Sequence, residues 1–212
     1  MINNMELKMT YKIIPTDDLM IRPVLRKRLE KRHAKNKKLR IIDELGLHHG
    51  DARVDIAVIN GIIHGYEIKS DQDTLLRLPE QIDIYNSVFD KMTLVVGKKH
   101  LYEAVKMIPD WWGVILVKAD SKGKVVFNTI RKEETNKEQN QLSVAKLLWR
   151  EEALRILEEI DEAKGFRSKS RDLIYSKLST VLDQKTLNKK VRETIFFRAD
   201  WRSESPLMSY GD

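Results

Sequence analysis

The fold is decided by residues 53–70, which read RVDIAVINGIIHGYEIKS. Two runs rich in Ile and Val are separated by Asn60-Gly61, a dipeptide typical of hairpin turns. Each run carries charged residues between its apolar ones, with Asp55 in the first run and Glu67 and Lys69 in the second. A charge among core residues is costly unless it is paired or bound to a metal ion. The stretch therefore predicts a pair of strands that hold a polar site.

The length of the turn decides whether these charged side chains meet. Side chains alternate along a strand, so Glu67 and Lys69 share one face of theirs. A three-residue loop puts Asp55 directly opposite Glu67, with their Cβ atoms about 5 Å apart. A two-residue turn at Asn60-Gly61 instead pairs Asp55 with Tyr66 and sends Glu67 to the other face. The site requires an odd loop or a bulge, and the sequence leaves both registers open.

The elements around this pair of strands follow from periodicity. Thr16-Asp17-Asp18 can cap a first helix, and apolar residues at helical spacing extend that helix to about Ala34. Further strands are predicted over 39–47, 92–96, 112–117 and 124–129, and further helices over 79–89 and 100–107. We expect the first three strands to be mainly antiparallel. The order predicts an α/β core with a mixed sheet flanked by helices.

The last third of the chain differs in composition. A polar run over 131–141 predicts a linker. Apolar residues at helical spacing then predict one long amphipathic helix from 142 to 160 and two more over 173–182 and 187–195. We expect a core over 1–132, an all-helical C-terminal region over 142–202 and a flexible tail over 203–212. The C-terminal helices are expected either to grip nucleic acid beside the core or to pair two copies as a homodimer.

Charge favours a polyanionic partner. The 212-residue chain has a net charge of +7, and ten Lys or Arg between residues 22 and 40 stand against a single acid, Glu30. Such a stretch favours phosphate contact and hence nucleic acid. The residues predicted to bind nucleic acid are Arg22, Arg26, Lys27, Arg28, Lys31, Arg32 and Arg53.

Several classes of protein are excluded by composition. The chain has no cysteine, which excludes disulfides and thiolate zinc sites. Its apolar runs are too short to cross a membrane, and its first residues lack the pattern of a secretory signal. We therefore expect a cytoplasmic protein without a membrane partner.

A further pattern lies in the helix after the two strands, where Gln81 and Tyr85 are four residues apart and share a face. An Asp, a Glu-x-Lys and a Gln-x-x-x-Tyr helix in this order resemble the PD-(D/E)XK nuclease superfamily. The resemblance is strongest to its RecB-like members and to a branch of small, poorly characterised bacterial and phage proteins. It covers residues 17–129, with Val54 in place of the proline of the family motif.

The resemblance implies a restriction-endonuclease-like core and a metal-dependent nuclease. We expect its substrate to be DNA in preference to RNA. It implies that Asp55 and Glu67 bind Mg²⁺, or Mn²⁺, and that Lys69 is the catalytic lysine. It also implies that Gln81 and Tyr85 support the site or contact the substrate.

A third acid is expected at such a metal site. Glu44 is our choice for this metal ligand, and Glu30 on the first helix is the rival. The alternative function is a nucleic-acid-binding or regulatory protein that keeps the fold without turnover.

Overall fold

A computed structural model of the chain describes residues 13–198. The strands are β1 (Ile13–Ile14), β2 (Arg40–Leu47), β3 (Ala52–Ile59), β4 (Ile63–Lys69), β5 (Lys91–Gly97), β6 (Gly113–Asp120) and β7 (Val125–Arg131). The helices are α1 (Asp18–His33), α2 (Leu78–Val88), α3 (Leu101–Met107), α4 (Gln141–Ala145), α5 (Arg150–Glu159), α6 (Arg171–Val181) and α7 (Gln184–Phe197). Residues 1–12 and 199–212, which include the predicted tail over 203–212, lie outside the described residues.

The strands form one mixed sheet in the order β1-β6-β5-β4-β3-β2, with β7 also paired to β6. β2, β3 and β4 are antiparallel to their neighbours in that series, whereas β4, β5 and β6 are parallel. β1 and β7 run antiparallel to β6. The fold is therefore α/β, with a mixed sheet flanked by helices and followed by C-terminal helices, as predicted.

Two buried hydrophobic clusters cover the two faces of the sheet. Helix α1 begins where Asp17 accepts a hydrogen bond from the Met20 N–H at 2.8 Å. Its apolar row packs on one face; this cluster comprises Ile21, Leu25, Leu29, Ile56, Val58, Tyr66, Ile68, Val95, Ile115 and Val117. The opposite face is covered by α2, α3 and the C-terminal helices. Alternation along the strands thus separates the apolar partners of α1 from those of α2.

The C-terminal helices share the second cluster with the sheet. This cluster contains Leu94 and Val114 of the sheet together with Leu178 and Val191 of α6 and α7. The predicted linker has no helix or strand over 132–140. Its Asn136 is nevertheless buried and donates hydrogen bonds to the carbonyl groups at the end of α2. The boundary between a core and a C-terminal region stays a prediction.

The prediction of one long helix over 142–160 is wrong, because the helix is interrupted between the end of α4 and the start of α5. Leu147 and Leu148 are both buried at the break. The carbonyl group of Leu148 accepts a hydrogen bond from the Tyr175 hydroxyl at 2.8 Å, and that of Leu147 accepts one from Arg198 at 3.0 Å. Side chains from α6 and the end of α7 therefore replace the helical bonds that these carbonyl groups would otherwise make.

Among residues 13–198, no helix is long and apolar enough to cross a bilayer.

Candidate functional site: a charged cleft where β3 and β4 diverge

The loop between β3 and β4 has three residues and gives the register that brings the charged side chains together. Ile59 pairs with Ile63 and the ladder continues to Ile56 opposite Tyr66. Gly61 has φ +101°, a left-handed conformation that other residues rarely adopt. The structure therefore adopts the register of a three-residue loop. In this register Asp55 and Glu67 are the next two residues beyond the pair Ile56 and Tyr66.

The two strands separate just beyond that point. β3 continues along β2 as far as Ala52, whereas β4 continues along β5 as far as Lys69. Asp55 bridges the gap, because its Oδ2 accepts a hydrogen bond from the Ile68 N–H at 2.6 Å. A cleft of about 820 Å³ opens there. Its lining includes the acids Asp18, Glu44, Asp51, Asp55, Glu67, Asp73, Glu80 and Asp83 and the bases Arg22, Arg53, Lys69 and Arg77.

Four of the five predicted catalytic residues, all except Asp55, form one hydrogen-bonded network at this cleft. Glu67 and Lys69 are only 2% and 5% exposed. Lys69 Nζ donates to Glu67 Oε1 at 2.7 Å and to Gln81 Oε1 at 2.9 Å. The Tyr85 hydroxyl lies 2.8 Å from Glu67 Oε2, and Gln81 Nε2 donates to that hydroxyl at 3.3 Å. The four residue spacing on α2 thus places an amide and a phenol over the same Glu-x-Lys pair.

The carboxyl groups of the cleft are held in an unfavourable environment for negative charge. Burial raises the pKa of Asp55 to about 8, and the negative charge of Glu67 contributes to this rise. Burial also raises the pKa of Glu67, although Lys69 opposes the effect. Burial and the charge of Glu67 raise the pKa of the Tyr85 hydroxyl, which keeps it neutral. Two desolvated carboxyl groups facing one cleft are a donor set that a cation would stabilise.

Arg22 lies at the centre of a second group of carboxylates in the same cleft. Its Nε and Nη2 donate to Asp18 at 2.9 and 3.1 Å, and Nη2 also donates to Asp55 Oδ1 at 2.7 Å. Its Nη1 donates to Glu44 Oε1 at 2.5 Å and to the Asp55 carbonyl oxygen at 3.0 Å. A guanidinium has five N–H donors, so all of them are engaged. Burial alone would lower the pKa of Arg22, but the hydrogen bond to Asp18 and the charge of Asp55 raise it above its ordinary value.

Of the two acids proposed for a third metal ligand, only Glu44 lines the cleft. Glu44 adopts a left-handed conformation with φ 56° inside β2, and its carboxylate contacts Arg22 and, at 3.4 Å, Arg53. Glu30 instead pairs with Arg26 at 3.2 Å farther along α1. The structure therefore brings Glu44 to the site through its contact with Arg22.

Asp18 also lines the cleft, although its place in the sequence predicts only a role at the start of α1. It stands four residues before Arg22 on α1, a spacing at which side chains on a helix meet. That spacing was the available signal. The convergence of Asp18 with Glu44 and Asp55 depends on three separate elements and has no counterpart in the sequence.

The basic stretch does not form one continuous surface. Arg26 pairs with Asp43, Arg32 pairs with Glu133 at 3.5 Å, and Arg28 lies over the ring of Phe127. Rows four residues apart on α1 thus turn Arg22 and Arg26 toward β2 and β3, and Arg28 and Arg32 toward β7 and the segment after it. Lys27 and Lys31 are exposed and have no ion-pair partner among residues 13–198.

The carboxylate oxygens of Asp55 and Glu67 are the candidate ligands for a divalent metal ion in this cleft. Within the described part of the chain, no group of three or more His, Asp or Glu side chains is arranged to hold a metal ion. Mg²⁺ in proteins is often bound by only one or two carboxylates together with water and substrate phosphates. Each oxygen of Asp55 and Glu67 accepts one hydrogen bond and keeps a lone pair. The pair of carboxylates therefore fits a partly hydrated Mg²⁺ ion.

The fold and the cleft define an α/β protein with a buried Glu–Lys pair and a facing Asp where two strands diverge. The chain belongs to the family described as Bacteriophage P4 protein cII, whose model matches residues 21–206. That match includes most of the cleft.

Two individual proteins are similar to the chain. Protein cII of Enterobacteria phage P4 is 36% identical over 92 residues, which are 43% of this chain and 34% of that protein. The chain therefore spans about a third of the length of this curated relative. Among solved structures, the SPO1766 protein of unknown function from Silicibacter pomeroyi is 18% identical and has a TM-score of 0.35. That match covers 66% of this chain and 90% of the other.

Proposed function

We propose that the protein is a metal-dependent nuclease that hydrolyses phosphodiester bonds, with DNA as the expected substrate. One observation carries the proposal: of the residues selected by their spacing, Asp55, Glu67, Lys69 and Gln81 line a single cleft. The fifth, Tyr85, is buried and donates a hydrogen bond to Glu67. These are also the residues on which the resemblance to PD-(D/E)XK nucleases depends. Asp55 and Glu67 would hold the Mg²⁺ or Mn²⁺ ion.

Each side chain of the network has a role in such a reaction. When bound, a divalent cation polarises a phosphate and lowers the pKa of a water molecule. Lys69 donates two of its three N–H groups to Glu67 and Gln81, so its third N–H is available to a water molecule or to a phosphate oxygen. Gln81 orients the ammonium group of Lys69, and Tyr85 orients the carboxylate of Glu67.

The charge of the cleft makes nucleic-acid binding dependent on the cation. The eight acids that line the cleft outnumber its four bases, although the whole chain carries net charge +7. A phosphate group would be repelled from this lining until a divalent cation compensates part of the negative charge. We therefore expect Mg²⁺ to be required for entry of the substrate backbone as well as for its hydrolysis.

The test is cleavage of linear, supercoiled, branched and single-stranded DNA and of RNA with Mg²⁺, with Mn²⁺ and with EDTA. Glu67→Gln and Lys69→Met should each lower the cleavage rate by at least about a hundredfold, a loss typical of an electrostatic group at a reacting centre. The control is a second Glu-x-Lys outside the cleft: Glu162→Gln/Lys164→Met removes the same side-chain types and should leave cleavage unchanged. Circular dichroism checks that every variant is folded. Cleavage that survives Glu67→Gln would contradict the proposal.

The alternative is a nucleic-acid-binding protein on the same fold that does not cleave. The observation that favours it is the closed set of ion pairs in the cleft, because Arg22 and Lys69 already compensate part of the negative charge. Metal-independent, salt-sensitive binding of DNA without cleavage in any of the metal conditions would select this alternative.

A further inference from the structure

Arg22 lies where carboxylates of three elements converge on the cleft. Asp18 comes from the first turn of α1, Glu44 from β2 and Asp55 from β3. All three carboxylates contact the guanidinium within 3.1 Å, and the Asp55 carbonyl oxygen contacts it as well. The arrangement is that of several oxygen ligands around one cation, with a protein side chain as the cation.

Two-metal sites in phosphoryl-transfer enzymes hold their ions about 3.5–4 Å apart through shared carboxylates. In this cleft the carboxylate that could be shared is Asp55, because it lines the cleft together with Glu67 and also accepts a hydrogen bond from Arg22. A second ion on the side of Asp55 away from Glu67 would require Glu44 or Asp18 as its other ligand. Those are the oxygens that the guanidinium of Arg22 already binds.

We propose that Arg22 takes the place of a second metal ion, so that the cleft works with a single divalent ion held by Asp55 and Glu67. The inference rests on the proposed function. Arg22 is a positioning residue in this account, since it acts through Asp55 and has no free donor for a substrate phosphate. Glu44 and Asp18 are then ligands of the guanidinium rather than of a metal ion.

The guanidinium is held firmly enough to exclude a competing ion. Its side chain is only 22% exposed, and the planar guanidinium contacts three carboxylates and a carbonyl group at once. Displacing it would require five hydrogen bonds to be exchanged together. A lysine would make fewer of these contacts but would keep the positive charge that repels a second ion.

The test counts bound Mn²⁺ by electron paramagnetic resonance of the free Mn²⁺ that remains during titration of the 212-residue chain. The wild type should bind one ion, and Glu67→Gln should weaken that binding at least tenfold. Arg22→Met, which keeps the apolar stem without the charge, should bind a second ion. Arg22→Lys, the matched control, should bind one ion as the wild type does.

A separate variant keeps the inference testable even where Arg22→Met does not fold. Glu44→Gln leaves Arg22 in place and should change neither the number of ions bound nor their affinity by more than about twofold, a few tenths of a kcal/mol. Two ions bound by the wild type, loss of an ion in Glu44→Gln, or one ion in a folded Arg22→Met would each overturn the role of Arg22. No ion in the wild type and one in Arg22→Met would instead overturn the metal site of the proposed function and leave the role of Arg22 intact.

Discussion

At the scale of single residues, Glu67 and Lys69 depend on each other for their contribution to the free energy of unfolding, because both are buried. Both side chains are almost completely inaccessible and are paired at 2.7 Å. Removing one partner of a buried pair leaves the other without its counter-charge, which typically costs about 3–5 kcal/mol. After Lys69→Met the carboxyl group of Glu67, whose pKa is already raised by burial, can take up a proton. Glu67→Gln instead leaves a buried ammonium group without its counter-charge.

We therefore predict that Glu67→Gln destabilises the protein more than Lys69→Met. The double variant should be less destabilised than the sum of the single ones by about 2 kcal/mol, the coupling expected of a direct contact. Urea unfolding of the four proteins at pH 7 measures this. Additive effects would show that the two groups do not depend on each other in the folded state.

His64 is a second buried polar residue, on the α1 side of β4. Its Nε2 lies 2.8 Å from Thr93 Oγ1 and its Nδ1 lies 3.2 Å from the Tyr66 hydroxyl. Burial lowers the pKa of His64 to about 3, and the charges of Arg32 and Lys91 contribute. The imidazole is therefore neutral in the folded protein at neutral pH.

This gives a pH dependence with a definite sign. Below its ordinary pKa of 6.5 the unfolded chain takes up a proton at His64 that the folded chain does not accept until about pH 3. The free energy of unfolding should therefore decrease as the pH falls from 6.5 toward 3, with a contribution of up to about 1.4 kcal/mol per pH unit. His64→Gln should lack this contribution when urea unfolding is measured between pH 7.5 and 4.5. Carboxyl groups titrate in both proteins, so equal slopes would contradict the assignment.

At the scale of elements, the loop between β3 and β4 determines the site, because its three residues determine the register. Gly61 has φ +101° and Gly46 in β2 has an ordinary conformation, while a Cβ atom would meet nothing within 4 Å at either position. Gly61→Ala should therefore destabilise the protein by about 1–3 kcal/mol through backbone strain alone. Gly46→Ala is the matched control and should be neutral or slightly stabilising. Thermal unfolding compares the two; equal effects would mean that the loop conformation is not strained by a side chain.

Helix α1 offers a test of the basic surface at the same scale. Lys27 and Lys31 are its exposed lysines without a partner among residues 13–198, in contrast to the paired arginines beside them. Replacing both with Gln should lower the slope of log K against log salt for duplex DNA by about 1.8, since each phosphate contact contributes about 0.9. Lys122→Gln/Lys124→Gln removes the same charge from the exposed turn before β7 and should leave the slope unchanged. An equal effect of both pairs would indicate a response to net charge rather than to a surface on α1.

Most of the strands and helices, and the faces on which their site residues lie, could be predicted from the sequence, because they follow from local periodicity. The alternation that puts Glu67 and Lys69 on one face and the helical spacing of Gln81 and Tyr85 are short-range rules. The register was left open, since Asn60-Gly61 suits turns of either length.

The features that escaped prediction depend on distant residues. Arg22 was assigned to nucleic acid because its neighbours in the sequence are basic, whereas its partners Glu44 and Asp55 come from other elements. The interruption after α4 could not be predicted for the same reason. Leu147 and Leu148 fit the helical period, but the Leu148 carbonyl group accepts a hydrogen bond from the distant Tyr175 hydroxyl. Contacts of this kind are set by tertiary packing, which overrides local propensity.

At the scale of the whole molecule, the apolar cluster shared by the sheet and the C-terminal helices predicts cooperative unfolding. Val88 and Trp112 belong to the same buried cluster as Leu178 and Val191. We predict a single calorimetric transition whose van't Hoff and calorimetric enthalpies agree. A chain ending at residue 140 should not fold cooperatively, because the apolar surface that α4 to α7 cover would be exposed to water. Two separate transitions, or a folded fragment, would show that the core and the helices are independent units.

The segment over 132–140 determines how limited proteolysis of this chain should be interpreted. Its composition is that of a hinge, with Lys132 and Lys137 open to trypsin. Asn136 and Gln139, however, bind the backbone carbonyl groups that end α2. Proteases cut segments that have opened transiently. The rate of digestion there therefore reports how often the hydrogen bonds from this segment to the end of α2 are broken. A nick at this polar stretch would measure the cohesion of the fold rather than mark a border between two parts.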